Sequence, residues 1–204
     1  FQDWDIRTSW FDKIPWASKI ISPLRFLLPF VWESFDFSEY DLVISSSAWA
    51  MPKAIITKPE TKHICYCHTP PRFLYGYPQA RYWTKYWPVK VYSAIVNHFL
   101  RPYDYVSSQR VDYFISNSYE VKERIKKFYN RQATVIQPPI NQPKLKKEKI
   151  KKIDEQEKFY FFASRLCSYK HPEIAIKACQ QLGRKLYVSG SGPLKEMVEK
   201  LCSQ

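Results

Sequence analysis

The chain has 204 residues, of which 15 are Pro and only 4 Gly, so it is neither collagen-like nor a glycine-rich linker. With 45% hydrophobic and 25% charged residues it has the composition of a globular rather than a disordered protein. Lys and Arg outnumber Asp and Glu by 32 to 19, a net charge of +13 that calls for an anionic partner: nucleic acid, an acidic membrane surface or a phosphorylated ligand. The five cysteines (Cys65, Cys67, Cys167, Cys179 and Cys202) are odd in number and lack framework spacing, which argues against a disulfide-stapled secreted fold and for a reducing cytosol.

In chain order, Phe1–Trp10 carries Asp3, Asp5 and Arg7 and does not read as a signal peptide. The apolar run Ile20–Trp32 is broken by Pro23, Arg25 and Pro29 and is shorter than the ~20 residues that span a bilayer. Strand-length apolar runs follow at Leu42-Val43-Ile44, His63–Cys67, Asp112–Ser116 and Ala133–Gln137. Helices are predicted between them over Ser47–Ile56, from Pro88 to about Leu100 with Pro102 as a kink or stop, and over Ser118–Tyr129. In the last, Val121, Ile125, Phe128 and Tyr129 share one face, and Asn117 or Ser118 can cap the start. Such alternation predicts a parallel sheet with helices on both sides.

Pro138-Pro139 ends the pattern, and Lys144–Lys158 holds seven Lys and four acids, a solvated linker. The alternation then restarts. Phe159–Ser164 reads as a buried strand, and Pro172 to Leu182 as a helix that Gly183 stops. Leu186–Ser189 reads as a strand, Gly190–Gly192 as a tight turn, and Leu194 to Leu201 as a further helix. Two strand–helix pairs are few for a free-standing sheet, so this second unit is expected to be cut short.

Several residues could carry chemistry. Arg165 and Lys170 lie on the loop leaving the Phe159–Ser164 strand, where open α/β sheets bind ligands. Both could grip a diphosphate, or the loop could simply be solvated. Gly190-Ser191-Gly192-Pro193 could let backbone N–H groups approach an anion, or be an ordinary turn. His63, Cys65 and Cys67 alternate on one strand face, open to zinc or to service as buried small side chains. His68 ends that strand, before Thr69-Pro70-Pro71-Arg72, and could reach substrate or act as a structural hydrogen-bonder. Lys122, Arg124, Lys126, Lys127 and Arg131 form a solvated helix face or an attraction for anionic headgroups. No recognisable nucleic-acid module is present, and no carboxylate pair is placed for glycoside hydrolysis.

Taken in order, six segments resemble glycosyltransferase family 4. They are Phe35–Ser47 (FDFSEYDLVISSS), Ile64–Leu74 (ICYCHTPPRFL), Val111–Ser118 (VDYFISNS), Gln137–Ile140 (QPPI), Ser164-Arg165-Leu166 with Tyr169-Lys170, and Gly190–Pro193 (GSGP). The resemblance implies an α/β protein of two Rossmann-like (GT-B) domains facing a cleft. These would be an acceptor-side domain over residues 1–137, a linker over 138–158 and the start of a donor domain over 159–204. It implies a retaining glycosyltransferase that takes sugar from a nucleotide-diphosphate donor to a sugar or lipid-linked acceptor. In it, Arg165 and Lys170 would hold the donor diphosphate, Gly190 and Gly192 the nucleotide loop, and His68 would lie by the transferred sugar. Arg72, Asn117 and Ser118 would line the acceptor side. No metal or other cofactor is expected, nor nucleic acid. The expected place is the cytoplasm, peripheral to the membrane face. Departures are the missing opening Gly-rich loop, the missing paired-glutamate motif and Asn141 where the family usually has Asp. The chain is therefore expected to be a fragment, inactive alone. The alternative from a different class is a basic non-catalytic module for nucleic acid or anionic membrane.

Overall fold

The computed structural model describes residues 4–78, 86–141 and 158–202. The chain divides into two compact units, Phe1–Tyr77 with Thr84–Pro139, and Pro78–Trp83 with Ile140–Gln204. All but Lys158 of the Lys-rich stretch from Lys144 lies outside the described residues.

The first unit opens with short turns: α1 (Ala17–Ile20), a 3-10 turn at Arg25–Leu27 and α2 (Leu28–Glu33). The Ile20–Trp32 run is thus partly core. Leu28 packs with Met51, Leu74, Val96 and Leu100, and Val31 with Phe11 and Ala17. Then come β1 (Leu42–Ser47), β2 (Lys62–Cys67), α3 (Trp87–Gln109), β3 (Tyr113–Ser116), α4 (Tyr119–Tyr129) and β4 (Ala133–Val135). The four strands are parallel and lie in the order β1-β2-β3-β4.

Two of the predicted helices change. The helix expected over Ser47–Ile56 is a single 3-10 turn, Pro52–Ala54. Ser47 still belongs to β1, and Met51 takes a left-handed φ of 56° just before Pro52, which leaves no room for an α-helical turn. The helix expected to stop near Leu100 continues as α3 through Pro102 to Gln109. It is anchored beyond the proline, because the Tyr103 hydroxyl donates to Glu33 and Asp104 lies in the core.

Helices also cover one face of this sheet rather than two among the described residues. Val43, Ser45, Ser47, His63, Cys65, Cys67, Phe114 and Ser116 are buried, while their alternates Leu42, Ile44 and Tyr113 are exposed. Cys65, Cys67 and Phe114 pack under Val121, Ile125 and Tyr129 of α4. The strand order explains this. Parallel strands laid down in one direction by crossovers of one hand place every helix on the same side.

Inside that covered face sits a charge pair. Lys53, on the Pro52–Ala54 turn, is 1% exposed and bonds the carboxylate of Asp104, which is 0% exposed. The Tyr75 hydroxyl donates to the other oxygen of Asp104 at 2.8 Å, and Lys53 Nζ lies 5.0 Å from the centre of the Tyr129 ring. Burial, reinforced by the Asp104 charge, pushes the Tyr75 and Tyr129 phenols well above their ordinary range, so both stay protonated.

The second unit contains β5 (Phe159–Ala163), a 3-10 turn at Ser168–Lys170, α5 (Pro172–Gln181), β6 (Lys185–Ser189) and α6 (Lys195–Cys202). β5 and β6 pair in parallel. Leu166, Ile176 and Val198 form its core, with Phe162, Leu186 and Val188 against them. Phe159, Tyr160, Phe161 and Tyr187 remain exposed and Phe162 is only half-buried, so the expectation of a buried Phe159–Ser164 strand is not met. β5 has a single strand partner among the described residues and helices against only part of its surface.

Candidate functional site

In the first unit, strand register builds the site. Ser47 pairs with Cys67, Cys67 with Ser116, and Ser116 with Val135, so the four carboxyl ends finish in one row. His68, Asn117 and Ile136 follow that row directly. The His68 N–H donates to Ser47 O at 2.8 Å and the Ile136 N–H to Ser116 O at 2.9 Å, which extends the ladder by one residue.

His68 is exposed, and its Nε2 shares a hydrogen bond with Ser46 Oγ at 2.9 Å. The ring stands edge-on to Tyr66, whose hydroxyl donates to Ile136 O at 3.1 Å. One imidazole nitrogen is therefore oriented by β1, leaving the ring fixed at the sheet's carboxyl edge and open to solvent. Asn117 and Ser118 form the start of α4. Ser118 Oγ accepts from the Val121 N–H at 3.3 Å and donates to Asn117 Oδ1 at 3.1 Å, so its hydroxyl serves as a helix cap. Arg124 reaches back from α4: it donates to Thr69 Oγ1 at 3.3 Å, pairs with Glu120 at 2.9 Å and lies 4.2 Å over the Tyr77 ring. Arg72 is exposed on the same loop, and its carbonyl accepts from Tyr75 and Tyr77 N–H groups.

That loop is held from beneath by α3. Asn97 Nδ2 donates to Phe73 O at 3.0 Å, Arg101 Nε donates to Leu74 O at 3.0 Å, and Asp104 accepts from Tyr75. Spacings of four and three put these side chains on one helix face, reading three consecutive loop residues. The motifs alone did not reveal Ser46, Arg124 or this stripe. The signal for Asp104 was its place at i+4 and i+8 from Leu100 and Val96.

His63, Cys65 and Cys67 lie buried on the covered face of the sheet. His63 is buried, bonds Ser45 Oγ at 2.8 Å, and burial pulls its pKa down to about 4, so it is neutral. Burial pushes the Cys65 thiol up to about 11 and Cys67 further, so both are inert thiols in the core. No cluster of three metal-ligating side chains occurs among the described residues. Of the basic residues at α4, Arg131 is structural, donating to the carbonyls of Ser108, Gln109, Val111 and Asp112.

In the second unit, the loop after β5 and the loop after β6 are stitched together. The Ser164 N–H donates to Ser189 O, the Leu166 N–H to Ser191 O and the Leu194 N–H to Leu166 O, at 2.9–3.1 Å. The glycines permit this contact. A Cβ on Gly190 (φ +150°) would lie 1.9 Å from Ser164 O, and one on Gly192 (φ +156°) 2.2 Å from Leu166 O. They bring the turn against backbone, and they thereby fix the loop that carries Arg165 and Lys170. Both cations are exposed, and among the described residues neither pairs with a carboxylate. Lys170 Nζ lies 5.9 Å from the Tyr169 ring.

Polar side chains thus gather past the carboxyl ends of the parallel strands of an α/β protein, the edge at which open sheets of this kind generally bind ligands. A family model described as Glycosyltransferase Family 4 matches residues 6–142, more than half of the chain, and the chain belongs to that family. Its activity class is sugar transfer, with a sugar donor and an acceptor as substrates. No curated protein and no solved structure matches the chain. Among the described residues no helix is long and apolar enough to cross a membrane.

Proposed function

We propose that the chain belongs to a glycosyltransferase that moves sugar from a nucleotide-diphosphate donor to a sugar or lipid-linked acceptor, with retention of anomeric configuration. The observation that carries the donor assignment is the pair Arg165 and Lys170, two exposed cations without carboxylate partners among the described residues, on a loop fixed at the carboxyl end of β5. As the bond between the anomeric carbon and the diphosphate oxygen breaks, the electron pair leaves with the nucleotide. A guanidinium fork and an ammonium neutralise the charge that develops there, without a metal ion. A hydroxyl of the acceptor forms the new bond on the same face of the sugar and gives up its proton to the departing diphosphate oxygen. His68, held by Ser46 and Tyr66, contacts the transferred sugar or orients the acceptor. Arg72, Asn117 and Ser118 belong to the acceptor side, Ser118 through its cap on α4. The setting is the cytoplasmic membrane surface, which the enzyme meets peripherally.

Charge-assisted contacts to phosphate are worth ~1.5–3 kcal/mol, so Arg165→Ala and Lys170→Ala should each lower donor affinity about 10- to 100-fold. Fluorescence titration with UDP and GDP reads this directly. Strong, salt-dependent RNA binding with no diphosphate binding would instead favour the non-catalytic basic module.

A further inference from the structure

α3 is built inside out. A surface helix normally turns its apolar stripe to the core and its polar residues to water. Here the buried side includes Ser93, Asp104, Ser107 and Ser108 beside Val96 and Leu100. The outward side carries Trp87, Val91, Ile95 and Phe99, each four residues on from the last, with Tyr105 and Val106 beyond Pro102. Trp87 is 76% exposed and Phe99 70%. The helix has 23 residues, about 34 Å of length at 1.5 Å per residue. Asp104 bonds Lys53 and Tyr75, Asn97 donates to Phe73 O and Arg101 to Leu74 O, so the helix cannot be rolled over without breaking these contacts.

Charge marks what this side faces. The only acid in α3 is Asp104, which is buried. Exposed Lys90 and Arg101 lie along one margin of the apolar band. On the other margin the Arg25 guanidinium sits 5.7 Å from the Tyr92 ring, and the Tyr92 hydroxyl donates to Pro23 O. The segment so attached exposes Phe26 and Phe30 as well. The Glu33 carboxylate that meets Tyr103 is neutralised by its pairing with Arg110. A long apolar ridge with aromatic residues and flanking cations matches an anionic lipid interface. Such a surface accepts a ridge without a shaped pocket and attracts its margins.

We propose that the outward face of α3, from Trp87 to Val106, seats the protein on an anionic bilayer, with the helix lying in the plane of the headgroups. The inference rests on the reading of a membrane-borne acceptor, and it assigns the contact to α3 rather than to the basic side of α4.

Co-sedimentation of the full chain with phosphatidylcholine vesicles, with and without 30% phosphatidylglycerol, at low and high salt, tests it. Wild type should bind the anionic vesicles, with a blue shift in tryptophan emission, and release in high salt. Ile95→Glu and Phe99→Glu should each weaken binding at least tenfold without lowering the melting temperature, since both side chains are exposed. Lys90→Glu should weaken it less and flatten the salt dependence. Tyr113→Glu, on the open sheet face, should bind as wild type does. Three results would overturn the proposal: no binding by wild type, equal binding to neutral vesicles, or Glu variants that bind unchanged. So would concentration-dependent dimers that Phe99→Glu dissolves in the absence of vesicle binding. UDP and GDP titration of the same samples separates this from the transferase reading. Donor binding intact with vesicle binding absent rejects the docking face alone.

Discussion

Replacing Lys53 by Met removes the cation from a pair in which both side chains are almost wholly shielded from water, while keeping side-chain volume near Tyr129. The Asp104 carboxylate would then keep the Tyr75 hydroxyl on one oxygen and lose its donor on the other. Breaking a buried pair by deleting one partner costs ~3–5 kcal/mol, a large share of the ~5–15 kcal/mol that holds a domain together. The double variant Lys53→Met/Asp104→Leu leaves no stranded charge and should fall within ~1 kcal/mol of wild type or exceed it. Urea unfolding followed by tryptophan emission suits the measurement. Six of the seven tryptophans (Trp4, Trp10, Trp16, Trp32, Trp49 and Trp87) belong to the first unit and none to 140–204. The reasoning is refuted if the single variant loses less than ~1 kcal/mol, or if the double variant is as unstable as the single one.

The neutral His63 gives the fold an acid sensitivity with a definite sign. Its pKa is near 4 when folded against an ordinary 6.5, so the unfolded chain takes up the proton first as pH falls. Stability is complete above about 6.5 and declines by ~1.4 kcal/mol per pH unit toward 4, roughly 3 kcal/mol in all. His63→Gln should remove that part of the slope between pH 7.5 and 4.5, and an unchanged slope would count against it. Gly192→Ala puts a methyl into the Leu166 carbonyl and should destabilise the second unit by well over ~1 kcal/mol, seen as a lower melting temperature by circular dichroism. His68→Ala should lower kcat while leaving the melting temperature in place, because the side chain is exposed. A fall in melting temperature large enough to account for the lost turnover would assign it a structural role.

Local pattern carried much of the fold. Val121, Ile125 and Tyr129 specify α4 with its Ser118 cap, and the apolar runs at β2, β3 and β6 lie within a residue or so of their place in the sheet. What stayed hidden depends on partners far apart in sequence. Pro102 signals a stop, yet α3 continues because Asp104 has Lys53 to meet 51 residues earlier. Single-face coverage of the sheet follows from strand order, which no alternation of apolar and polar residues encodes. His68 was legible as the residue after a strand, whereas its partner Ser46 emerges only from the β1–β2 register. In the second unit the glycines were readable as a close backbone approach, but the approach is to Ser164 and Leu166 of the protein's own chain.

The stitched loops of the second unit separate two tasks that proteins often combine. The path of the main chain from Ser164 to Leu166 is set by peptide groups bonding Ser189, Ser191 and Leu194, and by two positions that admit only hydrogen as a side chain. None of the bonds that hold it uses the side chain of Arg165 or Lys170. Exchanging either residue rewrites the charge and reach displayed at the carboxyl end of β5 while the scaffold keeps its shape. Heritable variation there can retune ligand preference one codon at a time, without passing through an unfolded intermediate sequence. A library confined to those two codons would explore that preference with little loss of folded protein.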